Sequence, residues 1–332
     1  MFRHPMNVML LAAGRSTRLG ALGATLPKPL VPICGYPAIA FGLAACARAG
    51  FSRAVVNVFH RGDLLRETLG ASTQGVDLDY AVEAELLGTG GGLAAARPRF
   101  GPGPLLVMNA KVVADLDLPT LTAAHARGGA LATMLVRDDP DARRWGAISY
   151  DETGRVVGIL DARSPRPPEG RVVEGMFTGV HVVEPALLDR LRPVFCDVIR
   201  DAYIPALLAG GTIRAEVLAG YFAEHSTPER YLAGNLALLR DPSLVPHAPG
   251  PLVGADAGAR VDAEARVVGP CRVEAGAIVE AGAEVGPDVV VARGARVAAG
   301  ARVTRAVMWP GTLVERDTRD CVVTADGVVA VV

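Results

Sequence analysis

The sequence has no excess of charge of either sign. Its 332 residues include 34 Lys and Arg against 35 Asp and Glu, which gives a formal net charge of -1 at pH 7. Proteins that bind nucleic acid or an acidic membrane surface through electrostatics carry an excess or a cluster of basic residues. The charge balance therefore argues against nucleic acid and membranes as partners.

Cysteine is scarce, and long apolar runs are absent. The first apolar run ends after six residues at Gly14, and no run reaches the length of a membrane span. No cysteine belongs to a C-x-x-C pair or has a histidine at metal-ligand spacing, so we predict neither a disulfide framework nor a zinc site. The five cysteines are Cys34, Cys46, Cys196, Cys271 and Cys321. We expect a cytoplasmic protein with reduced thiols.

One stretch near the N-terminus carries the strongest local signal for a ligand. Residues 9–12 predict a short buried strand that leads into a loop beginning at Gly14. The loop carries Arg15 and Arg18, and a second basic position, Lys28, lies between two prolines. Unpaired amides of a glycine turn beside cationic side chains are typical of a polyphosphate site. Neither a Walker A loop nor a G-x-G-x-x-G fingerprint is present, and a solvated surface turn is the alternative.

Strand and helix signals alternate through the first third of the sequence. The predicted strands are 9–12, 54–58, 76–81 and 105–108, and the predicted helices are 37–49, 63–69 and one starting at 93–96. This alternation predicts a doubly wound, mostly parallel α/β sheet of the Rossmann-like kind. Ligands of such sheets bind outside the carboxyl ends of the strands. The phosphate loop, residues 57–60, the glycine cluster 88–92 and residues 109–111 would lie there.

The middle of the chain predicts the rest of the same domain. Further strands are predicted at 130–136, 146–150, 156–160 and 177–183, and helices at 185–191, 197–208 and 228–239. A segment with four prolines between residues 242 and 251 is typical of a linker. Half of the residues are apolar, so the chain can form sizeable cores. We predict an α/β domain over residues 1–245.

Beyond the linker, valine recurs at every sixth residue without a miss. A helix needs a period near 3.6 residues and a half-buried strand a period of 2, so a period of 6 fits neither. It predicts a parallel β-helix in which each short strand turns one valine inward and three hexads complete one turn. The valines are Val261, Val267, Val273, Val279, Val285, Val291, Val297 and Val303. We place this domain at residues 246–332 and expect its tail to cover the open end of the stack or to meet another subunit.

The predicted α/β domain and β-helix together resemble a known family, the sugar-phosphate nucleotidyltransferases or NDP-sugar pyrophosphorylases. It is most similar to those of the mannose-1-phosphate guanylyltransferase kind. The motifs that carry the resemblance are L-A-A-G at 11–14, R-L at 18–19, P-K-P at 27–29, V-N-V at 56–58, L-G-T-G-G at 87–91, L-V-M-N at 106–109, F-T-G-V-H at 177–181 and T-P-E at 227–229. The resemblance implies a mixed, mostly parallel glycosyltransferase-A-like sheet followed by a left-handed β-helix.

The resemblance also implies a reaction in which an NTP and a sugar 1-phosphate give an NDP-sugar and pyrophosphate. The sugar phosphate attacks the α-phosphorus in line, and the protein positions the reactants and neutralises charge. The implied catalytic residues are Arg18 near the leaving pyrophosphate, Lys28 at the α-phosphate, and Lys111. The implied nucleotide-binding residues are Leu11, Ala12, Ala13, Gly14, Arg15, Glu83, Gly88, Thr89 and Asn109. The implied sugar-binding residues are Trp145, Gly146, Asp161, Thr178 and Gly179.

The chain departs from the family pattern where the family binds magnesium. The family reads Asn-Gly-Asp where this chain has Asn-Ala-Lys ending at Lys111, and Glu224 replaces a second metal-binding Asp. An ammonium group at a ligand position removes an oxygen and repels the ion, so the Mg²⁺ that the resemblance implies is doubtful. Three explanations stay open. Lys111 supplies the charge of the metal with Glu224 as its partner; a metal enters through Asp115, Asp117 or Glu224 together with the phosphates; or turnover has been lost.

We predict a cytoplasmic enzyme that uses an NTP and a sugar 1-phosphate and forms a homo-oligomer. The first alternative is a catalytically impaired, nucleotide-sugar-binding regulatory subunit. The second is an acyltransferase that uses the β-helix, but the last histidine, His247, lies in the linker, so the coil has no catalytic histidine. The sequence does not fix the base or the sugar.

Overall fold

The structure, a computed structural model, describes residues 5–14, 17–139, 142 and 146–331. These residues form two compact units. The sheet unit comprises residues 5–14, 42–112 and 116–221. The coil unit comprises residues 17–41, 113–115 and 222–331.

The strands that precede the coil are β1 (Asn7–Leu11), β2 (Pro32–Ile33), β3 (Tyr36–Pro37), β4 (Arg53–Val58), β5 (Ser72–Thr73), β6 (Val76–Val82), β7 (Leu105–Asn109), β8 (Val112–Ala114), β9 (Ala132–Arg137), β10 (Ala147–Tyr150), β11 (Val156–Ile159), β12 (Ala162–Arg163), β13 (Val173–Val183), β14 (Ile213–Val217) and β15 (Phe222–Glu224).

The described α-helices are α1 (Ala21–Thr25), α2 (Ala38–Arg48), α3 (Gly62–Leu69), α4 (Gly88–Ala96), α5 (Leu118–Gly128), α6 (Pro185–Leu188), α7 (Ile204–Leu208) and α8 (Pro228–Arg240). A π-helical turn, Ile199–Tyr203, precedes α7, and 3-10 turns lie at Thr17–Leu19, Lys28–Leu30, Arg97–Arg99 and Pro242–Leu244. Among the described helices, none combines the length and the apolar character that a membrane crossing requires.

One mixed sheet of 11 strands forms the centre of the sheet unit. Its order is β12-β11-β10-β13-β7-β1-β4-β6-β5, with β9 paired to β13 and β14 paired to β9. Strands β7, β1, β4 and β6 run parallel, whereas β13 is antiparallel to β7, β9 and β10. The predicted mixed, mostly parallel α/β architecture is confirmed. The four parallel strands therefore end at one edge of the sheet.

The central strands β1, β4 and β7 are apolar in their middle because both of their faces are covered. Met9 and Leu10 of β1, Val55 and Val56 of β4, and Leu106 of β7 are at most 1% exposed. Parallel strands in the middle of an α/β sheet need such continuous apolar runs. The apolar residues of these strands therefore favour burial in the centre of the sheet, where β1 lies between β4 and β7.

The glycine cluster is part of a helix, which differs from the prediction. The helix was expected to start at residue 93, but α4 begins at Gly88. A Cβ atom on Gly88 would lie 2.5 Å from the Cys196 carbonyl oxygen, and one on Gly91 would overlap the Val194 carbonyl. The glycines are needed because another segment of the sheet unit packs directly against the backbone of α4.

Strands β16 to β27 form the coil that the hexad pattern predicts. They are β16 (Gly254–Ala255), β17 (Arg260–Val261), β18 (Arg266–Val267), β19 (Cys271–Val273), β20 (Ile278–Val279), β21 (Glu284–Val285), β22 (Val289–Val291), β23 (Arg296–Val297), β24 (Arg302–Met308), β25 (Leu313–Val314), β26 (Thr318–Thr324) and β27 (Gly327–Ala330). Each strand from β16 to β22 pairs in parallel with the strand three positions later, or with β24. This pairing is the stacking of a parallel β-helix with three hexads per turn.

The inward valines of the first turn of the coil are much more exposed than those of the turns that follow. Val285 and Val303 are 0% exposed, whereas Val261 and Val267 of the first turn are 40% and 41% exposed. Strands β17 and β18 pair on one side only. At the other end, β27 pairs antiparallel with β26 and so covers its edge, as expected for the tail.

Helix α8 connects the N-terminal part of the coil unit to the β-helix. The Tyr231 hydroxyl donates to the Pro32 carbonyl and accepts from the Trp309 indole nitrogen at 2.9 Å. The Asn235 side-chain oxygen accepts from the Cys34 amide at 2.8 Å. Tyr231 and Asn235 are fully buried, so water cannot bond to their polar groups. The hydrogen bonds within the protein satisfy these groups instead. These bonds fix the orientation of α8 in its unit.

Replacing Val285 by Ala removes two methyl groups from the closed part of the coil. We expect it to lower the free energy of unfolding of the coil unit by about 2 kcal/mol. Val267→Ala is the matched control, because Val267 pairs in register with Val285 but is exposed. It should cost less than about 0.5 kcal/mol. Urea unfolding measures the free energy of unfolding of both variants. It is followed by the fluorescence of the buried Trp309 in a Trp145→Phe background. Equal losses of unfolding free energy in the two variants would contradict the packing described here.

A buried carboxyl group gives the coil unit a predicted pH dependence. Glu274 is 7% exposed, and its Oε1 atom has no hydrogen-bond partner in the described chain. Burial raises the pKa of Glu274 above its ordinary value of 4.5, although the backbone amide of Arg293 and the charge of Arg272 oppose the shift; Asp256 adds to it. The folded state therefore holds this proton more tightly than the unfolded state does.

The free energy of unfolding that is linked to Glu274 is therefore fully present below pH 4.5 and is lost as the pH rises through the higher folded-state pKa. Glu274→Gln removes the titration. We expect its stability to fall less than that of the parent chain between about pH 4.5 and about pH 8. Urea unfolding across this range is the measurement, and parallel stability curves for the two proteins would rule the linkage out.

Candidate functional site

Two asparagines flank the carboxyl end of β1. In the parallel register, Leu11 lies opposite Asn57 of β4 and Asn109 of β7. The Ala110 amide donates to the Leu11 carbonyl at 3.1 Å, so the chain turns immediately after β7. Three strands therefore present polar groups at the edge where ligands of α/β sheets bind.

The Asn57 side chain bonds to segments on both sides of it. Its Oδ1 atom accepts from the Ala12 amide at 2.8 Å, and its Nδ2 atom donates to Glu83 Oε1 at 2.7 Å. The other carboxylate oxygen of Glu83 accepts from the Leu87 amide at 3.1 Å. This chain of three hydrogen bonds, which we call the edge network, joins the end of β1 to the segment before α4.

The edge network is buried. Asn57 is 2% exposed and Glu83 is 7% exposed, and a Cβ atom on Gly92 would lie 2.8 Å from both side chains. Burial raises the pKa of Glu83, while the bonds from Asn57 and Leu87 oppose the rise. Polar groups in such a place are costly unless they are bonded to one another, so the network holds the backbone at the sheet edge in one arrangement.

The backbone after β1 differs in one respect from the sequence expectation. The Ala12 amide is bonded to Asn57, and the Gly14 amide donates to the Ala12 carbonyl at 3.0 Å. The sequence predicts unpaired backbone amides in this turn, but the amides of Ala12 and Gly14 are both hydrogen-bonded within the protein. Gly14 itself is exposed, and a Cβ atom built on it would meet no atom within 4 Å. A side chain could therefore be accommodated at Gly14, beside the half-buried Ala13.

Two predicted nucleotide contacts, Gly88 and Thr89, pack within the sheet unit. The Thr89 hydroxyl donates to Asp197 Oδ2 at 3.0 Å and accepts from the Val198 amide at 3.0 Å. Gly88 lies against the carbonyl of Cys196. Both residues thus join the start of α4 to the segment that leads into the π-helical turn.

Asn109 and Gly179, predicted for the nucleotide and the sugar, lie against each other. Gly179 has a φ of 80°, and a side chain there would overlap the Asn109 amide nitrogen. Gly179 lies in an irregular stretch of β13, where the register against β9 shifts. The Thr178 hydroxyl in this stretch donates to the Leu135 carbonyl at 2.7 Å. The bulge therefore brings the backbone of β13 next to the end of β7.

The remaining predicted sugar residues lie around the β10-β11-β12 hairpins. Gly146 precedes β10 with a φ of 100°, and Asp161 is exposed in the turn between β11 and β12. The Leu160 amide donates to the Ala147 carbonyl at 3.0 Å, which brings the two positions together. Trp145 and Arg15 lie outside the described residues.

In the coil unit, Glu224 lies between two arginines. Its Oε1 atom is 3.9 Å from Arg18 Nη2, and its Oε2 atom is 3.9 Å from Arg230 Nη1. Lys28, in the same unit, is half-buried at the start of a 3-10 turn. Arg230 has no counterpart among the residues that the sequence motifs indicate. The only feature of the sequence that indicates it is its position as a basic residue in the first turn of α8, which begins at Thr227-Pro228.

The residues at the predicted metal positions do not fit a magnesium ion. Magnesium needs oxygen ligands in octahedral geometry, but Lys111 carries an ammonium group and Glu224 faces two guanidinium groups. The two carboxylate oxygens of Asp117 accept from the amide and the hydroxyl of Thr120, at the cap of α5. Among the described residues, no three His, Cys, Asp or Glu side chains are arranged to hold a metal ion.

Comparisons with known proteins bear on the family of the chain. A family model described as Nucleotidyl transferase matches residues 7–178, just over half of the chain. A mannose-1-phosphate guanylyltransferase of Mycobacterium tuberculosis is 29% identical over 243 residues, which cover 72% of this chain and 66% of that protein. The mannose-1-phosphate guanylyltransferase catalytic subunit beta of Xenopus tropicalis is 28% identical over 236 residues, with 69% and 63% covered. The chain thus spans somewhat less than two thirds of the length of these two curated relatives.

Among solved structures, the fold is similar to that of HddC from Yersinia pseudotuberculosis. The TM-score is 0.58 at 22% sequence identity, and the match covers 70% of this chain and 99% of HddC. HddC has also been crystallised in complex with GMP-PN, and that structure matches equally well. At this identity the likeness concerns the fold.

Exchanging the two ends of the bond between Asn57 and Glu83 tests the edge network. Asn57→Asp places two carboxylates next to each other. Glu83→Gln replaces one carboxylate oxygen by an NH2 group, which then faces another donor, either the Asn57 side-chain amide or the Leu87 backbone amide. Each single variant should lose about 1–3 kcal/mol of unfolding free energy. The double variant Asn57→Asp, Glu83→Gln restores all three bonds and reverses donor and acceptor only in the bond between residues 57 and 83, so we expect most of the loss to be recovered.

Urea unfolding of the four proteins, followed by circular dichroism, measures this coupling. Losses that simply add in the double variant would mean that the bond does not stabilise the sheet edge.

Proposed function

Since the chain belongs to the nucleotidyl transferase family, we propose that it joins an NTP to a sugar 1-phosphate and forms an NDP-sugar and pyrophosphate. The observation that carries the proposal is the edge network, together with the exposed Gly14 that follows it. A nucleotide needs a rigid backbone edge with room above it, and the three hydrogen bonds through Asn57 and Glu83 supply that rigidity.

The relatives suggest which substrates to test first. The curated relatives named above are mannose-1-phosphate guanylyltransferases, and HddC was solved with GMP-PN. GTP and mannose 1-phosphate are therefore the first pair. The half-buried Asn109 and the adjacent bulge at Gly179 are the groups that we assign to the junction between nucleotide and sugar.

The chemistry requires positive charge more than it requires a protein acid or base. A sugar phosphate oxygen forms a bond to the α-phosphorus of the NTP while the bond to pyrophosphate breaks, and negative charge builds up on the departing group. We assign Arg18 to that group, Lys28 to the α-phosphate, and Lys111 to the charge that a metal ion would otherwise supply. Fixed cations in a site that excludes water stabilise such charge strongly.

A second function is favoured by the residues at the metal positions. Lys111 and the pairing of Glu224 with two arginines would also suit a chain that binds a nucleotide-sugar without turning it over. Such a chain would act as the regulatory partner of a related enzyme. Turnover and binding are separable properties, so one set of assays distinguishes the two functions.

We expect pyrophosphate release when the chain is given GTP and mannose 1-phosphate, with other NTP and sugar 1-phosphate pairs as comparisons. Release should persist in EDTA if Lys111 supplies the charge of the metal. Lys111→Asp should lower the rate in EDTA by at least about tenfold and make the remaining activity depend on Mg²⁺.

Two results would count against this proposal. The absence of release with every pair, alongside tight binding of an NDP-sugar, would favour the regulatory function. Unchanged rates and metal response in Lys111→Asp would remove Lys111 from the phosphate site. Lys111→Arg, which keeps the positive charge, is the control.

A further inference from the structure

The first turn of the β-helix is an open end of the coil. Its three strands, β16, β17 and β18, are terminal in their sheets, so one edge of each has no partner in the described part of the chain. At the other end of the coil, β27 covers the edge of β26. Unpaired strand edges are places where a further strand can add through backbone hydrogen bonds. The first turn is therefore the end of the coil to which another chain can add.

The apolar interior is also incomplete at this end. Val261 and Val267 stack in register on Val279 and Val285, which are at most 1% exposed. The two valines of the first turn are themselves 40% and 41% exposed. An apolar groove beside Val267 is lined by Leu239, Pro242 and Val253 among others. A further turn stacked on this end would cover both valines.

The free edge of β17 can pair with the same edge of a second copy. The amides of Arg260 and Asp262 donate to the Ala277 and Val279 carbonyls of the next turn at 2.8 and 2.9 Å. Because backbone groups alternate between the two sides of a strand, the amide and the carbonyl of Val261 face the free edge. Residues that lie directly opposite in an antiparallel pair can exchange two hydrogen bonds. A twofold axis at Val261 would form this pair between the two copies.

The charges on β17 are complementary about this axis. Arg260 and Asp262 flank Val261 and are both exposed. With the axis at Val261, Arg260 of each copy lies opposite Asp262 of the other. Within the described residues neither takes part in an ion pair, and the Asp262 carboxylate is held in place by the Glu264 amide, which donates to it at 2.9 Å. Opposite charges directly across two strands stabilise the pairing, whereas like charges destabilise it.

The other two strands of the turn also match about this axis. Strand β16 of one copy then lies opposite β18 of the other, with the inward Ala255 opposite Val267. This register places Asp256 opposite Arg266, whose side chains are 32% and 72% exposed. A twofold axis at Ala255 or at Val267 would give only one kind of opposite-charge pair, whereas the axis at Val261 gives two. The charges therefore favour one arrangement.

We propose that the open first turn of the β-helix binds the first turn of a second copy of this chain, end to end, about a twofold axis at Val261. The two coils then share one continuous apolar interior, and the exposed valines of both are covered. Such an interface uses the same surface on both copies, so it closes with two chains and leaves no open edge for a third. It does not depend on the proposed function.

Sedimentation velocity of the full chain up to about 100 μM tests the proposal, because a contact of this size is weak compared with a permanent dimer. The parent should form a concentration-dependent dimer. Asp262→Arg places two arginines opposite each other, and Arg260→Asp places two aspartates opposite each other. Each variant alone should associate at least about tenfold more weakly than the parent.

An equimolar mixture of these two variants restores opposite charges at both contacts. We expect the mixture to associate within about threefold of the parent affinity, although neither variant does so alone. Arg296→Asp is the matched control, because Arg296 is exposed and lies in register with Arg260 two turns further along the coil. It should leave association unchanged within about twofold. Circular dichroism of each variant should match that of the parent, since all three substitutions are at exposed positions.

Three results would overturn the proposal. The first is a parent chain that stays monomeric up to about 100 μM, which would leave the open turn for a strand of a different protein. The second is association of Asp262→Arg that is as strong as that of the parent, which would place the contact between copies elsewhere. The third is a mixture that associates no better than its two components.

Discussion

The sheet unit depends on one buried side chain, Asn57, whose amide bonds in two directions. It accepts from the backbone after β1 and donates to Glu83, which in turn holds the backbone before α4. Each partner would be a buried polar group with an unmet hydrogen bond if Asn57 were apolar. The arrangement therefore couples three segments that are distant in sequence, and it sets the shape of the sheet edge from which all assigned ligand contacts of this unit follow.

The coil unit depends on α8 in a comparable way. Tyr231 and Asn235 lie one helical turn apart, on a face that packs against the β2-β3 hairpin and the β-helix. At the two ends of the same helix are the two arginine and carboxylate groups, Arg230 with Glu224 and Arg240 with Asp288. The group at the C-terminal end is joined by direct hydrogen bonds, whereas the two arginines at the N-terminal end lie 3.9 Å from their carboxylate.

Much of the fold could be predicted because its signals are local or periodic. The hexad valines specify the β-helix, and the apolar runs of β1, β4 and β7 specify a buried parallel sheet. The exposure of Val261 and Val267 could not be predicted from the pattern. The six-residue period is the same in a turn of the coil that is stacked on one side only as in a turn that is stacked on both sides. The helical state of the glycine cluster was missed because it is set by contact with residues 194–198, far along the chain.

The site was only partly predictable for the same reason. Asn57 was recognised as a residue at the sheet edge, but its two bonds depend on register and not on spacing. Glu83 was assigned to the ligand, yet both of its oxygens are bonded within the protein. Arg230 follows no motif, and only the turn at Glu224 brings it to the carboxylate. Sequence patterns indicated the chemistry of the site, whereas tertiary contacts decide which side chains are available for it.

The central claim is that the sheet edge at the ends of β1, β4 and β7 holds a nucleotide. A crystal structure of the chain grown with a non-hydrolysable GTP or ATP analogue tests it most directly. The account predicts density for the nucleotide at this edge, within hydrogen-bonding distance of the backbone after β1 and of Asn109, with the Asn57 bonds unchanged. Nucleotide density found only elsewhere on the chain, or an Asn57 side chain turned away from Ala12 in the complex, would contradict it.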